Sequence, residues 1–387
     1  MNKSTTLCET INRIKQNSGM LIFEADINEI NWEKDFQDVS KKCINPNELS
    51  AYLNKVVTNS QQKPADRDKL ALDKPYIHSK TIPFDEEGEI NVNEFIKKIT
   101  AMPNDILSIN MKMEKSKTDD SFSVNIGIPA LRGLVYDIDN NQFYIVNTCP
   151  GAGTCAMICY ARKGSYVMFP DVFLKQTKIL NLLLNYPERF EKLLTRELES
   201  IALKNPDKQI LFRWNDAGDF FTKKYYEIAL RITNNLKSEG YNISSYAYTK
   251  MGDVVNMADP NFIVNFSNDA NKKETSKVID VEGSKQSVIV PKELFDDLLE
   301  KTPGKSSNYL TNEKGKVVFS KPENVNILKQ RLASKYGVDV KSILTYDELL
   351  STPVGSEKQY NVVIMPKGDG DRSAQRSDVK MSFLCFH

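Results

Sequence analysis

The sequence predicts an α/β fold, a parallel sheet of six strands that is open or curled toward a barrel, preceded by a mostly helical N-terminal accessory region. Three observations carry this. From residue 123 onward, short β-branched and aromatic runs alternate with longer helical stretches, the rhythm of strand–helix–strand units. Polar, glycine-containing segments follow the strands, at the carboxyl ends where such folds collect chemistry. A cluster of cysteines follows the first of those strands.

Composition sets the limits. A chain of 387 residues, 40% of them hydrophobic, can bury a sizeable core, as one large domain with an accessory region or as two domains. Lys+Arg 52 against Asp+Glu 51 leaves a net charge of +1, so no global field holds nucleic acid or an acidic membrane surface. Any nucleic-acid contact must come from a local patch. The first residues, MNKSTTLCETINRIKQNSG, lack the apolar core of a signal peptide, and no run approaches the roughly 18 apolar residues of a membrane helix. The expected location is the cytoplasm, with no membrane partner. In a reducing compartment, clustered cysteines point to metal ligands or catalytic groups, whereas the isolated Cys8 and Cys43 read as structural thiols.

The accessory region spans residues 1–120. Residues 5–16 and 46–60 have amphipathic helical periodicity; Asn45 is placed as the cap of the second, with Pro46 in its first turn and Glu48 reaching back. Residues 91–100 read as helix and 106–113 as strand. The charged stretch 114–121 marks the boundary to an α/β domain over 121–387. His78 has no evident partner and reads as structural.

In the second region, 134–138 and 142–146 form a hairpin across Asp139–Asn141. Helices follow at 171–185 and 187–204, the latter opened by Pro187. The six strands of the parallel sheet are placed at 143–146, 209–214, 244–248, 262–266, 287–290 and 360–365. Helices are expected at 223–236, 252–258 and 291–300, and an insertion at 301–356 carries two more, at 323–335 and 341–350.

The chemistry centres on residues 143–166, FYIVNTCPGAGTCAMICYARKGSY, where Cys149, Cys155 and Cys159 fall within eleven residues. Pro150, Gly151 and Gly153 make the intervening segment a loop able to wrap a bound ion or cluster closely. Cys155 and Cys159 are four apart and share a face if a helix begins there. Thiolates are soft ligands suited to iron–sulfur clusters and zinc, and three from one loop leave a coordination position open.

This triplet, closing in Cys159-Tyr160-Ala161, resembles that of radical S-adenosylmethionine enzymes, and in particular phage-encoded proteins with a CPGA-type loop followed by CYA. The common superfamily signature is Cys-x3-Cys-x2-Cys, and this chain has Cys-x5-Cys-x3-Cys. The resemblance covers residues 134–387. It implies a six-stranded partial (β/α) barrel and a [4Fe-4S] cluster held by Cys149, Cys155 and Cys159. It further implies S-adenosylmethionine chelated on the open iron, with an electron donor as partner. An electron then cleaves the sulfonium to a 5′-deoxyadenosyl radical that abstracts hydrogen from substrate. The phage association implies a nucleotide or nucleic-acid substrate.

The loop after the second strand, Asn215-Asp216-Ala217-Gly218-Asp219-Phe220-Phe221, stands where the resembled family binds the methionine amino group, which nominates Asp216, Gly218 and Asp219. Asp219 or Thr222 also suits a helix cap. Tyr248 and Lys250 at the end of the third strand, and Ser267 and Asp269 at the end of the fourth, are candidates for cofactor or substrate contact, or form polar turns. In the C-terminal GDGDRSAQRSDV, Asp369, Asp371 and Asp378 could act as bases or hold a divalent ion, and Arg372 and Arg376 could grip phosphate or carboxylate. A self-paired, solvated loop is the alternative there.

Two other function classes fit the sequence. One is a zinc-stabilised nucleic-acid processing or binding protein, with Cys385 or His387 as fourth ligand and catalysis by Asp369, Asp371 and Asp378 with a divalent metal. The other is an interaction protein whose sheet has no chemistry.

Overall fold

A computed structural model describes residues 36–60, 72–110, 113–114, 117–305, 308–313, 315–355, 358–365 and 370–385. The helix expected at 5–16 lies outside them, as do Cys8, Asp369 and His387.

Among the described residues the main sheet is parallel and has eight strands: β2 (Ser121–Asn125), β5 (Gln209–Trp214), β6 (Ile243–Thr249), β7 (Phe262–Ser267), β8 (Gln286–Ile289), β9 (Ile343–Thr345), β10 (Tyr360–Ile364) and β11 (Val379–Leu384). Their order is β2-β5-β6-β7-β8-β11-β10-β9, with every pairing parallel. Among the described residues the sheet is not closed: β2 and β9 are its two edges. This corrects the six-strand expectation.

The strand before the cysteines is also corrected. β4 (Gln142–Asn147) belongs to a separate antiparallel sheet, between β1 (Lys41–Ile44) and β3 (Arg132–Asp137). A tight connection through Asn141, at φ 55°, makes β3 and β4 hairpin neighbours, so β4 pairs locally and never reaches the parallel sheet. β3 is an edge of that sheet. Its backbone is satisfied by asparagines one turn apart on a helix: Asn181 accepts from the Tyr136 amide and donates to the Leu134 carbonyl, and Asn185 donates to the Tyr136 carbonyl.

Helix α1 (Pro46–Ser60) begins where its cap predicts, the Asn45 side chain accepting the Glu48 amide, and α2 (Val92–Thr100) is capped by Asn91, whose side chain accepts the Glu94 amide. They pack Leu49, Leu53, Phe95 and Ile99 against Leu134 and Phe143, so the N-terminal region shares a core with the hairpin that carries the cysteines. Of the strand expected at 106–113, the described residues 106–110 and 113 form none; Ser108 makes one bridge to Asn125.

Helices α3 (Pro170–Asn185), α4 (Pro187–Lys204) and α5 (Lys223–Ser238) cover one face of β2, β5, β6 and β7, burying Ile210, Phe212, Trp214, Phe262 and Phe266. Alternation turns Leu211, Arg213, Tyr246 and Asn265 to the opposite face. Residues 371–378 lie over that face, with Ala374 against Leu211 and Tyr246 and its carbonyl on the Asn265 amide. A third core joins β8, β10 and β11 to α6 (Asn324–Tyr336). The helix expected at 291–300 is two single 3-10 turns, Lys292–Leu294 and Asp296–Leu298. The one expected at 341–350 is mostly β9 and a short helix, Tyr346–Leu350.

Candidate functional site

Cys149 lies two residues beyond β4, and the helix allowed by the spacing of the other two cysteines is a single turn, Cys155–Ile158. Cys159 leaves that turn in a non-helical conformation. Each cysteine is held by a different part of the chain. The Cys149 thiol accepts the Leu131 amide at 3.3 Å, and Leu131 sits at φ 65°, an unusual conformation for a bulky residue. The Cys155 amide donates to the Asp269 carboxylate at 3.3 Å. Beyond Cys159, the Tyr160 and Tyr166 hydroxyls donate to the Asp216 carbonyl and carboxylate respectively.

The loop between the cysteines lies directly on the exits of β6 and β7. A Cβ on Gly151 would meet the Lys250 carbonyl oxygen at 2.4 Å, and one on Gly153 the Asp269 carbonyl oxygen at 2.0 Å. Only glycine permits this approach. Asn271 completes the contact, its amide donating to the Gly151 carbonyl at 3.0 Å and its side chain to the Pro150 carbonyl at 2.8 Å.

The acidic loop after β5 is buried behind the cysteines. Asp219 accepts the Thr249 hydroxyl at 2.6 Å, the Lys250 amide at 2.9 Å and its neighbour Phe220 at 2.7 Å. Gly218, at φ 80°, packs against Ile128, and Asn215 is at φ 53°. Thr222 takes the helix-capping role, accepting the Tyr225 amide. Lys250 and Asp269 form an ion pair at 3.1 Å, and Ser267 closes β7, buried.

A buried arginine links this loop to the C-terminal segment. Arg213 pairs with Asp371, faces Asp216 at 3.6 Å, and lies 5.2 Å from the centre of the Tyr248 ring. Tyr246 also donates to Asp371, at 3.3 Å. A charge inside the apolar strand QILFRW was the available signal for Arg213, since a buried guanidinium needs carboxylate partners. Arg376 is spent internally. Its five N–H groups go to both oxygens of Asp378 and to the carbonyls of Leu349, Thr352 and Pro353, leaving none to grip a ligand. Arg372 is half-buried, its amide donating to the Tyr346 hydroxyl. The cysteine loop and Asp371 are therefore joined through Asp216 and Arg213, while Arg376 and Asp378 stay apart from that network.

Burial pushes all three thiols up. Cys149 is raised to about 12, by burial first and Asp219 next, with Cys159 and Cys155 adding to the rise. Cys155 is raised by burial and Asp269 against the opposing pull of Lys250; Cys159 is raised by burial, with Arg162 opposing. A bound cation would work against this rise by favouring the thiolate form. Among the described residues, no three His, Cys, Asp or Glu side chains are gathered into a metal-holding group. Cys385 is buried in the third core beside Phe383 and Val288, away from the cysteine loop's own cluster.

The rim of the loop is apolar and exposed: Met157, Ile158, Tyr160, Met168 and Phe169 all face solvent. His78 is structural, its ring accepting the Lys80 amide and facing the Met168 carbonyl at 3.3 Å. A groove of about 530 Å³ lined by Leu107, Ile109, Val124 and Ile201 shares no residue with the cysteine site. Among the described residues, no helix is long and apolar enough to cross a membrane.

No curated protein and no solved structure matches this chain. The family model described as Gene product 88 matches residues 106–337, a range that contains the cysteine loop, Asp216, Asp219, Lys250 and Asp269 and stops before Asp371. That is more than half of the chain, which belongs to the Gene product 88 family.

Proposed function

We propose that the chain is an iron–sulfur enzyme of the radical S-adenosylmethionine kind, with Cys149, Cys155 and Cys159 as cluster ligands and a nucleotide or nucleic acid as substrate. One observation carries the reading: three cysteines on one loop, none in a disulfide, are braced separately, Cys149 by the Leu131 amide just ahead of β3, Cys155 by Asp269 at the exit of β7, and Tyr160 beside Cys159 by Asp216 at the exit of β5. The donor set fits a cluster with one open iron, because three soft ligands from one loop leave the fourth position free. Binding requires the three side chains to turn toward one another, since they are not yet gathered into a ligand group.

When bound, the cluster and S-adenosylmethionine supply reductive cleavage of the sulfonium and hydrogen abstraction, with an external electron donor as partner. The chain's own work is positioning. Asp219 fixes the exit of β6, Gly218 packs close against Ile128, and Tyr248, Lys250, Ser267 and Asp269, at the ends of β6 and β7, are the residues that would hold the cofactor. The exposed Tyr160 and Phe169 suit stacking on a base, which favours the nucleotide class. Asp371, bound to Arg213 over the inner face, closes the substrate end.

Single alanine variants of the three cysteines test the ligand set. Each should lose nearly all reconstituted iron while Cys43→Ala keeps it; full iron in any of the three removes that residue from the set.

A further inference from the structure

The loop that follows β7 does more than end a strand. Its Asp269 carboxylate accepts the Cys155 amide with one oxygen and pairs with Lys250 through the other, and its Asn271 holds Gly151 and Pro150. Both Asp269 and Lys250 are largely buried, and Gly153 seats its backbone directly on the Asp269 carbonyl. The two ends of the cysteine loop have separate anchors, at Leu131 and at Asp216. The middle cysteine depends on this clasp.

We infer that Asp269 is a positioning residue for the cysteine loop: its carboxylate fixes Cys155 through the backbone amide, and Lys250 balances the charge that this places beside a thiol. This rests on the proposed cluster function but reassigns Asp269 from touching the cofactor to holding one of its ligands. The geometry supports the reassignment because both carboxylate oxygens are directed at the chain itself. A charge-assisted acceptor for a loop amide is worth enough to slow local opening by roughly tenfold or more. Asparagine at the same position retains an acceptor oxygen of the same reach for the Cys155 amide, and gives up the charge and the second oxygen that faces Lys250.

The test uses the full-length, metal-free protein and hydrogen exchange of the peptide covering residues 151–158. Asp269→Ala should speed exchange of the Cys155 amide about tenfold or more, with Asp269→Asn within about threefold of the unsubstituted protein. Unchanged exchange in the alanine variant overturns the inference. Asp269→Ser, too short to reach the amide, replaces it if the alanine variant does not fold. A second readout is iron retained after reconstitution with ferrous iron and sulfide. Asp269→Ala should lose most of it and Asp269→Asn should keep most, and equal loss in both overturns the positioning role. Full iron retention in Cys155→Ala would instead sink the cluster reading, and the exchange result would still decide the clasp.

Discussion

The Asp219 carboxylate accepts the Thr249 hydroxyl at 2.6 Å and the Lys250 amide at 2.9 Å, tying the acidic loop after β5 to the exit of β6. Asp219 is 5% exposed, and burial raises its carboxyl above the usual range despite these donors. Asp219→Ala strands the Thr249 hydroxyl and the Lys250 amide and should cost about 3 kcal/mol. Urea denaturation measures this, and a midpoint unchanged from the unsubstituted protein would contradict the bracing role.

Gly153 admits no side chain, because its Cβ would lie 2.0 Å from the Asp269 carbonyl oxygen. Gly153→Ala is expected to lift the loop off β7 and cut reconstituted iron several-fold while far-ultraviolet circular dichroism stays unchanged. Normal iron content would show that the loop can shift without losing its function.

Arg376 spends all five donors on Asp378 and three carbonyls of residues 349–353. Arg376→Met leaves Asp378 as an unpaired, nearly buried carboxylate and should destabilise the fold by about 3–5 kcal/mol. Iron content in the folded fraction is expected to match that of the unsubstituted protein. A stable variant with lost substrate turnover would point to a chemical role instead.

Lys285 donates to the carbonyls of Ser373, Arg376 and Val379, yet burial pulls its ammonium down from 10.5 to about 7, with Asp378 opposing and Arg376 assisting the fall. Between those values the unfolded chain holds a proton that the folded chain has released. Stability therefore rises with pH across that window, and this contribution is lost as pH falls through about 7. Lys285→Met should flatten the rise; parallel stability profiles for the two proteins between pH 6.5 and 9 would refute it.

Local patterns made much of this fold legible. Helix α4 begins at Pro187 and ends at Lys204 as its periodicity and its proline require, and the apolar run 209–214 matches β5 to the residue. Pairing was not legible. β4 reads as a strand from its own residues, but whether it joins β3 or a parallel neighbour depends on a turn and on the distant β1. β2 was hidden because Ser121, Ser123 and Asn125 face the polar inner side of the sheet, where Ser123 meets Gln375 from the C-terminal segment. β9 has only three residues and sits within a helical pattern.

The site divides in the same way. Clustering picks out Cys149, Cys155 and Cys159, strand ends pick out Lys250 and Asp269, which meet the cysteine loop, and the family resemblance picks out Asp219, whose amide donates to the Thr148 carbonyl beside Cys149. Arg213 escaped because its partners, Asp216 and Asp371, come from separate loops, one 158 residues away. Long-range ion pairs leave no periodic trace in a sequence.

The central claim is best tested by iron, sulfide and zinc content after anaerobic reconstitution, with spectra recorded before and after adding S-adenosylmethionine. The account predicts about four irons and four sulfides per chain, and absorption near roughly 400 nm that the cofactor perturbs. Stoichiometric zinc without iron, or a colourless metal-free protein after reconstitution, would contradict it.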